Sequence, residues 1–396
     1  MNRNISRREA ARRVLLGGCG LAWPFLGRRV SFTSGQPQSQ VAELEEMLER
    51  ARRRHELPGL AAGIVRGNGE IVSGVAGVRA WGSESRIRRD DRFHIASCTK
   101  SWTAMLAAIL VERQQLRWTT TLAEGLPSLS GRMRKEYAAA TLEQLLAHEA
   151  HLPAYTQPSP RRVAELHALS GTGTEQRLAF LAQVLSEKLN DAAGDGAYSN
   201  AGYAAAATLI ERAAGVSWEE LIRRELAQAL RLTTVGYGYP APSDRSDQPR
   251  GHARSGGEVR QLPFDRAHQL PVCLWPAGAI HCSIGDLAQY AADHLNGLCG
   301  RPALLPSASY RHLHRGRGAS VFTLGWGIRR DERWGVTHFG AGSGGWFFAR
   351  IVVLPELDAA VVVASNSGDA GPATRELWPA LIQRFAGGKA ERRKPI

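Results

Sequence analysis

The residues whose types and spacing most directly predict chemistry are Ser97 and Lys100, in Ser97-Cys98-Thr99-Lys100. Positions three apart share one face of a helix, so the lysine amine can reach the serine hydroxyl one turn away. A serine hydroxyl attacks a carbonyl only when a base takes its proton, and a lysine can be that base when desolvation or a nearby cation lowers its pKa. The spacing predicts a Ser-Lys nucleophile, although a helix-capping serine beside a solvated lysine would give the same pattern.

Two further segments contain residues that could complete such a site. Tyr198 and Asn200 are two positions apart before an apolar helical segment, so in extended backbone they project to the same side. A phenolate can act as a general base, and an amide can hold a lysine or a substrate carbonyl. His338 can orient a substrate. Because Gly340 has no side chain, the backbone there can approach a bound substrate closely enough for the N-H of Ala341 to donate a hydrogen bond to the substrate.

The elements that must position these residues follow from apolar periodicity. Predicted elements are a helix over 41–55, a hairpin of strands 60–65 and 71–78, helices between 97 and 230, a surface loop over 240–262, strands over 334–339, 346–354 and 359–364, and a helix over 374–385. Strands at both ends with helices between them predict an α+β fold. We expect an antiparallel sheet flanked by helices, built from residues 36–96 and 276–396, with a mainly helical domain of residues 97–275 inserted.

The net charge of +13 is concentrated at the two ends of the chain. Residues 1–30 contain seven arginines and one glutamate, and residues 387–396 contain four basic residues and one glutamate. The remainder carries a net charge of only +4. A mildly basic globular body with two charged tails predicts no nucleic-acid partner.

Residues 1–35 resemble a twin-arginine export signal. Arg7 and Arg8 precede an apolar run over 14–26, which is shorter than the ~20 residues of a membrane-spanning helix. We therefore predict a periplasmic or secreted protein without a transmembrane segment. Leu16-Gly17-Gly18-Cys19 also resembles a lipoprotein cleavage box, so a lipid anchor at Cys19 remains an alternative to signal cleavage.

The cysteine and histidine spacings fit no metal site. Cys273, Cys282 and Cys299 could form one disulfide bridge or be small buried hydrophobic residues. His312 and His314 lack the i, i+4 spacing of a helical zinc motif and have no adjacent carboxylate, so we predict that they are surface residues. No metal ion or other cofactor is expected.

Taken together, the order Ser-x-x-Lys, Tyr-x-Asn, His-x-Gly resembles the motif set of β-lactamase-related serine hydrolases. That group includes class C-type β-lactamases, penicillin-binding-protein-like D-amino-acid peptidases and certain esterases. The similarity extends over about residues 41–385 and includes the flanking segment 276–280. The resemblance implies a β-lactamase/transpeptidase-like fold.

The resemblance also implies a role for each candidate residue. Ser97 would be acylated, Lys100 and Tyr198 would share proton transfer, and Asn200 would contact the lysine or the substrate. His338, Gly340 and Ala341 would bind substrate, with the N-H groups of Ser97 and Ala341 forming the oxyanion hole.

Two positions depart from the family pattern. His338 stands where many β-lactamases and peptidases have the lysine of Lys-Thr-Gly, which favours esterase-like and peptidase-like members. His148-Glu149-Ala150-His151-Leu152-Pro153 stands where relatives usually read His-Thr-Ser-Gly-Leu-Pro. That segment lies near the cleft in the family, so the substrate preference is expected to be unusual.

The predicted function is hydrolysis through a Ser97 acyl-enzyme. The substrate is a small molecule or short peptide: an ester, a D-amino-acid peptide or amide, or a β-lactam, in that order. The alternative is a catalytically silent ligand-binding or sensor domain of the same fold. The sequence leaves open the oligomeric state and whether Lys100 or Tyr198 is the resting base.

Overall fold

The computed structural model describes residues 38–191, 198–241, 247–318 and 320–386. The export signal predicted over residues 1–35, with Cys19, lies outside these ranges. Within them, no helix combines the length and apolar character needed to cross a membrane.

Six antiparallel strands from both ends of the described chain form the main sheet. The described residues form eleven strands in all, which are β1 (Gly59–Arg66), β2 (Ile71–Gly77), β3 (Arg92–His94), β4 (Gly236–Tyr237), β5 (His252–Ser255), β6 (Glu258–Gln261), β7 (Ile280–Ser283), β8 (Gly327–Asp331), β9 (Gly335–Ser343), β10 (Phe348–Leu354) and β11 (Ala359–Ser365). The main sheet has the order β2-β1-β11-β10-β9-β8, and a small sheet has the order β3-β7-β4. Because β1 lies beside β11, with Ile64 opposite Val361, strands from the two ends of the described chain are neighbours in the sheet.

Helices cover both faces of the main sheet. The described residues form thirteen α-helices, which are α1 (Gln38–Arg54), α2 (Thr99–Glu112), α3 (Leu122–Gly125), α4 (Lys135–Ala138), α5 (Leu142–Leu146), α6 (Pro160–His167), α7 (Gly173–Val184), α8 (Asn200–Ala214), α9 (Trp218–Leu221), α10 (Trp275–Gly278), α11 (Ile284–Leu298), α12 (Ser307–Leu313) and α13 (Gly371–Phe385). Helices α1 and α13 pack on one face, and α11 packs on the other.

Strand β11 shows why the sheet is buried on both faces. Its residues 359–364 are apolar without alternation, and every residue of the strand, including Ser365, is buried. Val361 and Val363 belong to the core under α1 and α13, whereas Ala360 and Val362 belong to the core that includes α2 and α11. A continuous run of small and β-branched residues is what a strand covered on both faces requires.

The predicted α+β architecture, an antiparallel sheet with helices inserted between its strands, is confirmed; the boundaries proposed for its two parts stay a prediction. Two local predictions need correction. The strand predicted over 334–339 is present, but it continues as β9 to Ser343, so its predicted end was wrong. The surface loop predicted over 240–262 contains the hairpin β5-β6, which turns at Gly256 and Gly257, both with positive φ.

Candidate active site

Ser97 lies in a tight turn between β3 and α2. The turn Ala96–Cys98 is 3₁₀-helical, and Ala96 has a φ of +44°, in the left-handed region that a residue with a Cβ rarely adopts. The Ile95 N-H donates to the Ile280 carbonyl (2.9 Å) and the Cys98 N-H to the Ile95 carbonyl (3.1 Å). These bonds hold the strained turn, which points the Ser97 side chain away from the core while Cys98 is buried.

Lys100 is buried in the first turn of α2. Its Nζ donates to Asn200 Oδ1 (2.7 Å) and to the Ala277 carbonyl (2.8 Å), and it lies 3.5 Å from Ser97 Oγ. Burial lowers the pKa of Lys100 well below its ordinary value. The environment therefore favours a neutral amine beside the serine hydroxyl.

Tyr198 and Asn200 are held at the N-terminus of α8. Ser199 caps this helix, accepting from the Gly202 N-H (3.0 Å) and donating to the Pro153 carbonyl (2.7 Å). Asn200 Nδ2 donates to the Tyr155 carbonyl (2.9 Å), which fixes the amide so that its oxygen faces Lys100.

The phenol of Tyr198 contacts both members of the Ser-Lys pair. It is hydrogen-bonded to Ser97, and Lys100 Nζ lies 4.6 Å from the centre of its ring. Burial raises the pKa of Tyr198 above its ordinary value, more than the bond to Ser97 lowers it. Burial thus favours the neutral form of both Tyr198 and Lys100.

Strand β9 brings the third motif against the nucleophile turn. A Cβ on Gly342 would lie 2.6 Å from the Ser97 nitrogen, and one on Gly340 would lie 3.5 Å from Cys98 Sγ. Since alternate residues of a strand share a face, His338 lies on this same face, one step further along β9. Ala341 stands between the two glycines and is exposed.

His338 is buried, and its ring packs 4.7 Å from the ring of His314. Burial lowers the pKa of His338 to about 4, so it is a neutral imidazole near pH 7. The prediction that His314 is a surface residue was wrong. Helix α12 ends against α11 and β9, which leaves the His314 side chain only 2% exposed.

One neighbour of the site was not singled out by sequence reasoning. His148 stacks on Tyr198 with ring centres 4.3 Å apart, and its Nδ1 accepts from the Ser199 N-H (3.0 Å). Burial is the main cause that lowers the pKa of His148 to about 3, and the positive charge that Lys100 carries when it is protonated acts in the same direction. The only sequence signal was its place at the start of the unusual segment 148–153.

Glu149, the next residue of that segment, contacts the loop that follows α12. Glu149 forms a two-pronged ion pair with Arg317 (2.8 and 2.7 Å). Further along the same loop, the ring of Phe322 contacts Tyr198 and His148, with ring centres 5.3 and 5.2 Å apart. His151 is exposed and faces the Asn190 carbonyl.

The described cysteines form no disulfide bridge. Cys98, Cys273 and Cys282 are buried free thiols, and Cys299 is half-buried and also free. Burial raises the pKa of Cys98 to about 12, so this neighbour of Ser97 stays protonated.

Comparison with known proteins shows relatives over nearly the whole described chain. The chain is 24% identical over 360 residues to penicillin-binding protein 4 of Amycolatopsis lactamdurans, covering 87% of this chain and 90% of that protein. A class C β-lactamase superposes with a TM-score of 0.71 at 16% identity, covering 90% of this chain and 100% of the other.

A D-stereospecific amidohydrolase from a Streptomyces species superposes with a TM-score of 0.66 at 19% identity, covering 88% of this chain and 99% of the other. These two structural likenesses show a shared fold. The sequence model of the Beta-lactamase family matches residues 44–384. The chain therefore belongs to the Beta-lactamase family.

Proposed function

We propose that the chain is a serine hydrolase that forms an acyl-enzyme at Ser97. The observation that carries this proposal is the set of bonds around Lys100 Nζ. A neutral amine has two N-H groups and one lone pair, and the two N-H groups are used by Asn200 Oδ1 and the Ala277 carbonyl. The lone pair is left for the Ser97 hydroxyl, 3.5 Å away.

In the proposed mechanism, Ser97 Oγ attacks the substrate carbonyl carbon and gives up its proton to Lys100, directly or through Tyr198. Tyr198, a neutral phenol bonded to Ser97, can pass a proton from oxygen to amine and later return it to the leaving group. Collapse of the tetrahedral intermediate releases that group, and Ser97 retains the acyl group. Water activated by Lys100 and Tyr198 then hydrolyses the acyl-enzyme ester, which frees Ser97.

The negative charge that develops on the carbonyl oxygen needs donors already in place. The N-H groups of Ser97 and Ala341 are proposed as these donors. The close approach of Gly342 to the Ser97 nitrogen supports this assignment, because a gap between β9 and the turn would separate the donors. Removing one such donor typically costs about 10² to 10³ in rate.

For the substrate we rank an ester first, a D-amino-acid peptide or amide second and a β-lactam third. The neutral state of His338 supports this order, because a lysine here could bind a substrate carboxylate as a cation, whereas a buried imidazole offers no charge. The related proteins are named as a penicillin-binding protein, a β-lactamase and a D-stereospecific amidohydrolase, so peptide and β-lactam substrates stay in the comparison.

The test is labelling with a fluorophosphonate probe, comparing the wild type with Ser97→Ala. We expect stoichiometric labelling of the wild type and none of the variant. Labelling that persists in the variant, or its absence from both proteins, would refute the proposal, and absence would favour the silent ligand-binding alternative. Rates on p-nitrophenyl butyrate, a D-alanyl amide and a chromogenic cephalosporin then rank the substrates, and fast turnover of the cephalosporin alone would reverse our order.

We further propose that the protein is exported to the periplasm or beyond the cell, with cleavage after residues 1–35 or lipidation at Cys19. The paired arginines and the short apolar run support this proposal. Cell fractionation of the wild type and of an Arg7→Lys, Arg8→Lys variant tests it. We expect the variant to be retained in the cytoplasm, and equal export of both proteins would contradict a twin-arginine signal.

A further inference from the structure

Three buried histidines form a row that begins on strand β9, on the face that carries Gly340 and Gly342. His338 on β9 packs against His314, which directly follows α12, with ring centres 4.7 Å apart. His314 packs in turn against His294 of α11, at 5.1 Å, and its Nε2 lies 2.9 Å from His294 Nδ1. Their exposed fractions are 6%, 2% and 0%.

Aromatic side chains pack directly against the row. Trp326 packs against both His294 and His314, and the rings of Tyr290 and Tyr310 meet His294 edge-on. The nearby carboxylate of Asp293 accepts from the Tyr310 hydroxyl and the Leu304 N-H.

Burial lowers the pKa of all three imidazoles, and repulsion between neighbours lowers it further for His294 and His314. The row is therefore neutral near pH 7. Among the described residues, no group of three or more histidine, cysteine, aspartate or glutamate side chains could hold a metal ion, and the row is not such a site.

A row of neutral imidazoles couples their tautomers. Each neutral ring has one N-H donor and one bare nitrogen, so in the bond between His294 and His314 one ring donates and the other accepts. That choice determines whether His314 Nδ1 carries a proton. His314 Nδ1 and His338 Nδ1 are both buried and without a hydrogen-bond partner among the described residues, and they belong to adjacent rings. The His314 ring meets the His338 ring edge-on, at 82°, so the position of the proton on His314 affects His338 through this ring contact and not through a hydrogen bond.

Side chains next to the row also contact α2, the helix that follows the nucleophile turn. Tyr290 donates to Ser101 Oγ (3.0 Å), and Ser101 donates to the Cys98 carbonyl (2.9 Å). Gly325, beside Trp326, approaches the Lys100 carbonyl so closely that a Cβ would lie 2.7 Å from it. A change in the row therefore has a short path to the site.

We propose that His314, supported by His294, is a positioning residue that holds His338 as one neutral, oriented imidazole and so makes the site select acyl groups without a carboxylate. This inference rests on the proposed function of Ser97 for its catalytic consequence. The state of His338 itself can be measured without turnover.

The test uses ¹⁵N-histidine NMR of the purified protein, with the His338 signals assigned by loss in His338→Asn. We compare the wild type with His314→Asp, which places a carboxylate beside His338, and with His314→Gln, which removes the ring. His312→Gln is the matched control, because His312 lies in the last turn of α12, two residues before His314, and contacts Trp118 and Glu143 outside the row. Circular dichroism establishes that each variant is folded.

In the wild type and in His312→Gln we expect His338 to stay neutral and in one tautomer down to about pH 5. In His314→Asp its midpoint should rise by at least about one pH unit, because an opposite charge within ~4–6 Å stabilises the imidazolium. In His314→Gln the ¹⁵N signals of His338 should show a mixture of its two neutral tautomers. Unchanged His338 signals in the folded His314 variants would overturn the proposal. If His314→Asp does not fold, His314→Gln alone decides.

A kinetic comparison then tests selectivity. At pH 5, a midpoint raised from about 4 to about 5 leaves about half of the His338 rings protonated in His314→Asp, against about a tenth in the wild type. The ratio of kcat/KM for p-nitrophenyl butyrate over its hemisuccinate analogue should then shift about fivefold towards the carboxylate, mainly through KM. An unchanged ratio in an active enzyme would overturn the selectivity claim. A wild type that hydrolyses neither ester and is not labelled at Ser97 would instead refute the proposed function, and the NMR result would still decide the role of His314.

Discussion

Gly342→Ala should separate strand β9 from the nucleophile turn. A Cβ at position 342 would lie 2.6 Å from the Ser97 nitrogen and 3.0 Å from the Cys98 nitrogen, and closer still to the Ile95 carbonyl oxygen. All three are backbone atoms and cannot rotate away. Restoring an ordinary separation of about 3.5 Å requires the two backbones to part by about 0.9 Å at the Ser97 nitrogen and by more at the Ile95 oxygen.

That displacement sets the size of the expected effect. A misplacement of about 1 Å can cost about 10²-fold in rate, and losing one oxyanion-hole donor costs about 10² to 10³. We therefore expect kcat/KM for p-nitrophenyl butyrate, and the rate of fluorophosphonate labelling, to fall at least about 10²-fold. Overpacking should also cost about 1–3 kcal/mol of unfolding free energy, measured by urea denaturation.

The matched control is Gly344→Ala, two residues further along. A Cβ there would meet His94 and Tyr239 atoms at 3.5 Å, which is ordinary contact. We expect its rate to stay within about threefold of the wild type, in line with a cost of ~0.5 kcal/mol. A Gly342→Ala protein that is folded and labelled at the wild-type rate would refute the assignment of β9 to the oxyanion hole.

Three further predictions concern buried ionisable side chains. Arg177→Met should destabilise the fold by about 3–5 kcal/mol in urea denaturation, because Arg177 is fully buried and its loss leaves Glu211 without its partner; an unchanged midpoint would show that the pair contributes nothing. Lys100→Arg should lower Ser97 labelling by about 10² to 10⁴, since a guanidinium does not give up its proton, while wild-type labelling should rise with pH through a pKa below that of a free lysine; a flat pH profile would contradict a lysine base. Burial lowers the pKa of His148 and His94 to about 3, so the unfolded chain binds more protons below about pH 6.5 and stability should fall from there towards pH 3, by up to ~1.4 kcal/mol per pH unit for each histidine; equal urea midpoints at pH 7.5 and 5.5 would oppose this.

The architecture could be predicted from local periodicity, and the grouping of four candidate residues from the order of their motifs, which resembles that of a known family. Within each motif the spacing is local. Ser97 and Lys100 are one helical turn apart, and Tyr198 and Asn200 straddle the serine that caps α8. The structure brings these four side chains into mutual contact. Their chemical roles remain proposals.

The features that were missed depend on contacts between distant segments. His314 lies in the polar run Arg311-His312-Leu313-His314-Arg315, and nothing local shows that one side chain of this run is enclosed by α11 and β9. The role of His148 depends on stacking with a residue fifty positions away.

The hairpin β5-β6 was missed because its strands are polar and largely exposed, without the apolar alternation that marks a half-buried strand.

The most direct test of the account is to trap the acyl-enzyme. The protein is mixed with p-nitrophenyl butyrate, quenched in acid within the first turnover and digested for peptide mass spectrometry. We predict one butyryl group on the peptide that contains Ser97, with fragment ions that place it on this serine, and none in Ser97→Ala. Hydrolysis of the ester by both proteins at equal rates, or a butyryl group on another residue, would contradict the central claim that Ser97 is the nucleophile.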